Sequence, residues 1–156
     1  MIYTGSYENC KSGRRVSISG DGGKSVSFTE ETYKALAPKL DFWLLWHDNI
    51  GKISDIENND FYITEYYKKV LQYIDPNQVL IDLENAIMLC YEPFPIDEDY
   101  NPRLHFCHRH IVSVWLELEC GILVPEITTD EYGNITELPK ISTINDDVKR
   151  LIYKNI

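Results

Sequence analysis

The sequence of 156 residues lacks several features that would place it in a specialised class of protein. It has no apolar run near the roughly 20 residues that a membrane helix needs, so we expect no membrane span. Met1–Cys10 lacks the basic and then apolar pattern of a secretory signal, which predicts a cytoplasmic protein. Basic residues are few, with 15 Lys and Arg against 25 Asp and Glu, and the net charge of −10 argues against unspecific binding to nucleic acid.

Two common catalytic motifs are also missing. No Gly-x-Ser-x-Gly turn of a serine hydrolase occurs. Gly23-Lys24-Ser25 matches the end of a phosphate-binding P-loop, but that motif requires a glycine where the sequence has Ile18. We therefore interpret this segment as a turn.

Cysteine is scarce as well, and four cysteines in a cytoplasmic protein are expected to be reduced thiols. The sequence contains no Cys-x-x-Cys and no His-x-x-x-His pair, so it carries no strong zinc signature. The four residues are Cys10, Cys90, Cys107 and Cys120.

What the sequence does contain is an alternation of strand and helix patterns, which predicts a single α/β domain with a mainly parallel sheet flanked by helices. The continuous apolar run Ala86–Tyr91 is typical of a buried strand, and we expect Ile87–Leu89 at the centre of the sheet with helices on both faces. Cys107–Glu119 has the apolar stripe of a helix, and Gly121 stands at its C-terminal end.

The remaining elements are predicted from caps, turns and apolar spacing, and only Leu40–Ile50 is left without an assignment. The predicted elements are strands at Met1–Thr4, Arg15–Ser19 and Ile122–Val124, and helices from Thr29 to Ala37, from Asp60 to about Ile74, from Pro76 to about Glu84, and from about Asn145.

The most informative stretch joins the end of the buried strand to the start of the next helix. Cys90 and Glu92 stand at the strand end, and Cys107, His108 and Arg109 occupy the first helical turn. Ligands of open α/β sheets bind where strand ends meet helix N-termini, and such a terminus favours anions and lowers the pKa of a thiol. We expect His110 to point away from this group, at the surface.

These residues predict a small enzyme that acts on a small anionic molecule, such as a nucleotide or another phosphate-bearing metabolite. In this hypothesis Glu92 is a general base or nucleophile, His108 an acid or base, and Cys107 a thiolate or structural ligand. Arg109 binds the anion, with Cys90 beside it.

Two alternatives stay open at this point. Cys90, Cys107 and His108, with His105 or His110, would suit zinc, although no cofactor is required by the sequence. The same group could instead be a structural polar plug in a non-catalytic module, whose acidic surface binds a protein partner.

Trp43 and Trp46 form a second feature, three residues apart and followed by His47 and Asp48. This spacing is typical of a helix edge that faces the core. If His47 or Asp48 lies near the strand-end group, the tryptophans would form the apolar wall of a ligand pocket.

The segments Leu89–Glu92 and Cys107–Arg109 resemble the motif of small bacterial proteins called domain of unknown function family 488. Ile2–Thr4, and Gly121–Val124 after the helix, are similar to the same family. The resemblance implies an α/β fold with the five candidate site residues at the motif positions, and it implies no reaction.

The chain departs from that family near its start. Lys11–Arg15 replaces the family's usual run toward an aspartate–arginine pair. The resemblance makes Arg14 and Arg15 candidates for the arginine of that pair, and hence for further anion-binding residues.

Overall fold

The computed structural model describes residues 1–91, 107–139 and 142–154, and these residues form an α/β fold, as the sequence predicts. A parallel sheet in the order β1-β4-β2-β3 stands against a layer of helices. The strands are β1 (Tyr3–Ser6), β2 (Arg14–Ser17), β3 (Glu31–Thr32), β4 (Ala86–Cys90), β5 (Ile127–Thr129) and β6 (Ile135–Glu137). The α-helices are α1 (Leu40–Asn49), α2 (Asp55–Lys69), α3 (Pro76–Asp82), α4 (His108–Cys120) and α5 (Ser142–Ile152).

The central position of β4 is confirmed. Met88 lies opposite Thr4 of β1 on one side and opposite Val16 of β2 on the other, and both pairings are parallel. Every residue of β4 is buried. A strand covered on both faces needs apolar side chains at successive positions, which explains the uninterrupted apolar run.

The two faces of the sheet are covered differently. Ala86 and Met88 contribute to the main core, which contains the buried apolar residues of the described helices. Ile87 and Leu89 point into a smaller cluster with Cys10, which holds no residue of an α-helix. Helices on both faces are therefore not found in the described part of the chain. The chain joins β1 to β2, and β2 to β3, without an α-helix that would cover the second face.

The helix predicted from Thr29 to Ala37 is wrong. The segment contains the edge strand β3 and a single 3₁₀ turn at Lys34–Leu36. The Tyr33 amide donates to the Ser17 carbonyl at 2.8 Å, so pairing with β2 outweighs the local helix signal.

Two helices begin earlier than predicted. Ser54, not Asp60, caps α2, because its hydroxyl accepts a hydrogen bond from the Glu57 amide at 3.1 Å. The last helix begins at Ser142 rather than near Asn145. The predicted cap of α3 is confirmed, with the Asp75 carboxylate accepting from the backbone of the first turn.

No strand forms at Ile122–Val124. The Val124 amide donates to the Glu117 carboxylate at 2.9 Å, which holds this segment against α4. The chain reaches the sheet at Pro125, whose carbonyl accepts from the Thr4 amide of β1 at 3.0 Å, and Glu126 makes an isolated parallel bridge to Thr4. The hairpin of β5 and β6 follows. Among the described helices, none is both long and apolar enough to cross a membrane.

Gly5 in β1 allows the Cys10 side chain to pack closely against the strand backbone. A Cβ atom at this position would overlap the Sγ atom of Cys10. We expect Gly5→Ala to lower the free energy of unfolding by about 1–3 kcal/mol, measured by urea denaturation. Part of that loss should return in the Cys10→Ala background, which removes the overlapping sulfur. An equal loss in both backgrounds would contradict this account.

Candidate functional site

The candidate site lies at the carboxyl ends of β4 and β2, where α4 begins. Cys90 is the last residue of β4, and Cys107 is the N-cap of α4. Ile18 directly follows β2, the neighbouring parallel strand, so its carbonyl group reaches the same edge of the sheet. This is the edge at which open α/β sheets bind ligands.

Three potential metal ligands meet at this edge. One side-chain atom each from Cys90, Cys107 and His108 lies within 4.8 Å of the others, and all three residues are buried. The Cys90 Sγ is 3.4 Å from His108 Nδ1, while His108 Nε2 lies 2.8 Å from the Ile18 carbonyl oxygen. A carbonyl oxygen only accepts, so the proton resides on Nε2 and, in the neutral ring, the Nδ1 lone pair faces the thiols.

The two thiols have opposite electrostatic characters. Burial raises the pKa of Cys107, but the Cys90 hydrogen bond and the Arg109 charge outweigh burial and hold that pKa well below its usual range. Burial, together with the hydrogen bond to Cys107, raises the pKa of Cys90 well above its usual range. Of the two thiols, Cys107 therefore favours the thiolate form, because Cys90 hydrogen-bonds to it and the Arg109 charge lies near it.

Arg109 is fully buried and forms an ion pair with Glu126. The Arg109 Nε donates to Oε1 at 3.0 Å, and Nη2 donates to Oε2 at 2.8 Å. Burial raises the pKa of Glu126, but the charges of Arg109 and His110 outweigh it and lower that pKa. Nη1 of Arg109 has no hydrogen-bond partner in the described residues. The Arg109 charge therefore acts on both Glu126 and the Cys107 sulfur.

The other predicted residues that the structure describes fall outside this group. Arg14 makes a two-point ion pair with Glu31 at the surface, and Arg15 pairs with Glu30. Glu92 and His105 lie outside the described residues. The prediction that His110 lies at the surface is wrong, because its side chain is buried and its charge acts on Glu126.

A cavity of about 620 Å³ opens beside the three ligands, and sequence analysis missed most of its lining. Cys90 and His108 line it together with Trp43. Of the two tryptophans that we considered as the wall of a pocket, Trp43 is the one that lines this cavity. Sequence analysis assigned no site role to Ser19–Asp21. The signal that could have identified this segment is its position directly after β2, because the carboxyl ends of neighbouring parallel strands lie at the same edge of the sheet. The remaining lining residues are Ser25, Pro38, Leu40 and Tyr91.

Asp21 is the acidic residue of this cavity. Its Oδ2 accepts from the Tyr91 hydroxyl at 2.5 Å and from the Ser25 hydroxyl at 3.0 Å, and Oδ1 accepts from the Gly23 amide at 2.9 Å. Burial raises the pKa of Asp21, but these hydrogen bonds outweigh it and lower the pKa to about 2. The carboxylate is ionised at neutral pH and ties the turn after β2 to the end of β4.

Comparison of the chain with protein-family models, with curated proteins and with solved structures gives no match. The resemblance to domain of unknown function family 488 therefore stays a prediction.

The buried Arg109–Glu126 ion pair predicts that removal of the Glu126 charge strongly lowers the free energy of unfolding. Glu126→Gln should lower the free energy of unfolding by about 3–5 kcal/mol, because it removes the buried carboxylate that accepts the hydrogen bonds of the Arg109 guanidinium. Glu31→Gln removes a comparable carboxylate from the exposed Arg14 pair and should cost at most about 1 kcal/mol. Chemical denaturation of both variants measures the contrast, and equal losses would contradict a special role for Glu126.

Asp21 predicts a dependence of stability on acid pH. Its pKa is lower in the folded than in the unfolded chain, so its stabilising effect is complete above the unfolded pKa and is lost as pH falls through about 2. The melting temperature of Asp21→Asn should therefore lie below that of the unmodified protein at neutral pH. The difference should shrink between about pH 4 and pH 2. A difference that is independent of pH would contradict the hydrogen-bonding account.

Proposed function

We propose that this protein is a small zinc-dependent enzyme whose metal is held by Cys90, Cys107 and His108 at the floor of the cavity. The observation that carries the proposal is the convergence of two buried thiols and one imidazole within 4.8 Å, beside a cavity that two of them line. Thiolate and imidazole are the ligands that zinc prefers in proteins.

The orientation of His108 supports a metal ligand rather than a packed core residue. A histidine that binds a metal usually donates its other ring N–H to a carbonyl or carboxylate oxygen, which fixes the ring and its tautomer. His108 does this through Nε2 and the Ile18 carbonyl, while Nδ1 faces Cys90. The backbone of β2 thereby orients a side chain of α4.

The charges of the group also suit a divalent cation. Metal binding requires thiolates, and Cys107 already favours the thiolate form. Two thiolates and a neutral imidazole balance the two positive charges of zinc, and the Arg109–Glu126 pair beside them is neutral as a unit. With zinc bound, the buried group would therefore carry no net charge.

Three protein ligands leave one coordination position of a tetrahedral zinc for water or substrate. Cys90 and His108 line the cavity, so we assign that position to the cavity side. A zinc ion placed there would act as a Lewis acid on a bound substrate or water. In this proposal Cys107 and His108 are metal ligands, and they replace the roles of nucleophile and general acid or base that the sequence suggested.

The anionic substrate that the sequence predicted has little support in the described residues. Arg109 is buried against Glu126, and Arg14 and Arg15 are paired with acidic side chains away from the three ligands. None of the described residues lining the cavity is Lys or Arg. We keep the predicted class, a small enzyme, and assign its chemistry to the metal.

The proposal is tested by metal analysis of the purified protein. We expect about one zinc per chain, lost in Cys90→Ser. Cys10→Ser is the matched control, because Cys10 is equally buried but lies outside the group, with its Sγ 3.4 Å from the Ile127 carbonyl oxygen. That variant should keep its zinc. Removal of zinc by a chelator should lower the melting temperature of the unmodified protein but not that of Cys90→Ser.

A protein that holds no zinc, and whose melting temperature does not rise when zinc is added, would overturn the proposal. The group would then be the structural polar plug that the sequence left open. Loss of zinc from both cysteine variants would indicate general destabilisation instead, and would also contradict the assignment of Cys90 as a specific ligand.

A further inference from the structure

The cavity beside the three ligands has an apolar wall and a negatively charged wall, and this combination selects among substrates. We infer that it binds an uncharged aromatic or heteroaromatic compound, with the ring against Trp43 and a polar group toward Cys90 and His108. The inference rests on the proposed function for the assignment of this cavity as the substrate site. The inference replaces the anionic substrate predicted from the sequence by an uncharged one.

The apolar wall comes from α1 and the residues before it. Trp43, Leu40 and Pro38 line the cavity, and Leu40 is 68% exposed. Apolar side chains exposed beside a cavity are typical of a ligand site. The Trp43 indole stacks on His47 with ring centroids 5.1 Å apart and an interplanar angle of 14°, which fixes the indole on α1. A fixed indole offers a flat surface to a ring.

A second part of the lining carries negative charge. Asp21 is ionised, and both of its oxygens already accept hydrogen bonds from Ser19, Ser25, Tyr91 and the Gly23 amide. Its lone pairs are therefore engaged within the protein, and it acts on a ligand through its charge. A phosphate or carboxylate bound in the cavity would be repelled by that charge.

No basic side chain of the described residues compensates for Asp21 in this cavity. A neighbouring cavity of about 490 Å³ shares Tyr91 with it and is lined by Arg15. The Arg15 guanidinium is paired with Glu30 and lies 5.6 Å from the centre of the Phe28 ring, so its charge is already engaged. An uncharged ring avoids the repulsion and keeps the apolar contact.

The test compares ligands that differ in charge but share a ring. Adenosine and adenosine 5′-monophosphate form one pair, and benzamide and benzoate form a second. Titration calorimetry on the protein as purified should show the uncharged member of at least one pair binding about tenfold more tightly than its anion. Trp43→Ala should weaken that binding about tenfold. Leu44→Ala is the control, because Leu44 lies on α1, is exposed, and does not line the cavity.

Asp21→Asn removes the negative charge of this side chain but keeps its size and shape. It should bring the affinities of the two members of a pair closer together, because the anion gains while the uncharged compound is little affected. A merely structural role of Asp21 would weaken both members alike and would contradict the inference. Failure of every uncharged member to bind, or tighter binding of the anions, would overturn it.

The same titrations on chelator-treated protein keep the two proposals distinct. A protein that binds adenosine or benzamide at Trp43 but holds no zinc contradicts the proposed function alone. A protein that holds zinc through Cys90 but binds no uncharged ring contradicts this inference alone.

Discussion

The buried ion pair between Arg109 and Glu126 is the constraint on which the candidate site depends. Arg109 belongs to the first turn of α4, and Glu126 lies in the segment that bridges to β1. Two charges removed from water stabilise a structure only while they stay together, so the pair fixes the start of α4 against the sheet. The same guanidinium lies near Cys107 and favours its thiolate. The ion pair therefore contributes both to the position of α4 and, with the Cys90 hydrogen bond, to the charge of Cys107.

The direction of the strands determines which residues meet. Because β2 and β4 are parallel neighbours, their carboxyl ends present Ile18 and Cys90 at one edge. The Ile18 carbonyl orients His108, and the turn that follows carries Asp21 to the cavity. All described α-helices contribute to the core on the face of the sheet where Met88 lies, so α1 can place Trp43 at the same edge. Backbone geometry thus organises a site whose chemistry comes from side chains.

The sequence predicted the elements whose signals are local and strong. The buried strand β4, the cap of α3, and α4 with its terminal glycine were all read from a few adjacent residues. The errors occurred where contacts distant in sequence outweigh local propensity, as in the Thr29–Ala37 segment that pairs with β2. The convergence of Cys90, Cys107 and His108 was predictable because both strand end and helix start were recognised.

The sequence by itself determined the α/β class, the central strand, and the residue types that surround its carboxyl end. Only the tertiary structure decided that Arg109 is neutralised by Glu126, that His110 is buried, and that Asp21 and Trp43 complete a cavity. The physical reason is that burial and periodicity leave a pattern along the chain, whereas the partner of a charge depends on distance in space. Glu126 is one of 25 acidic residues, and nothing in its neighbours along the chain marks it as the one that Arg109 requires.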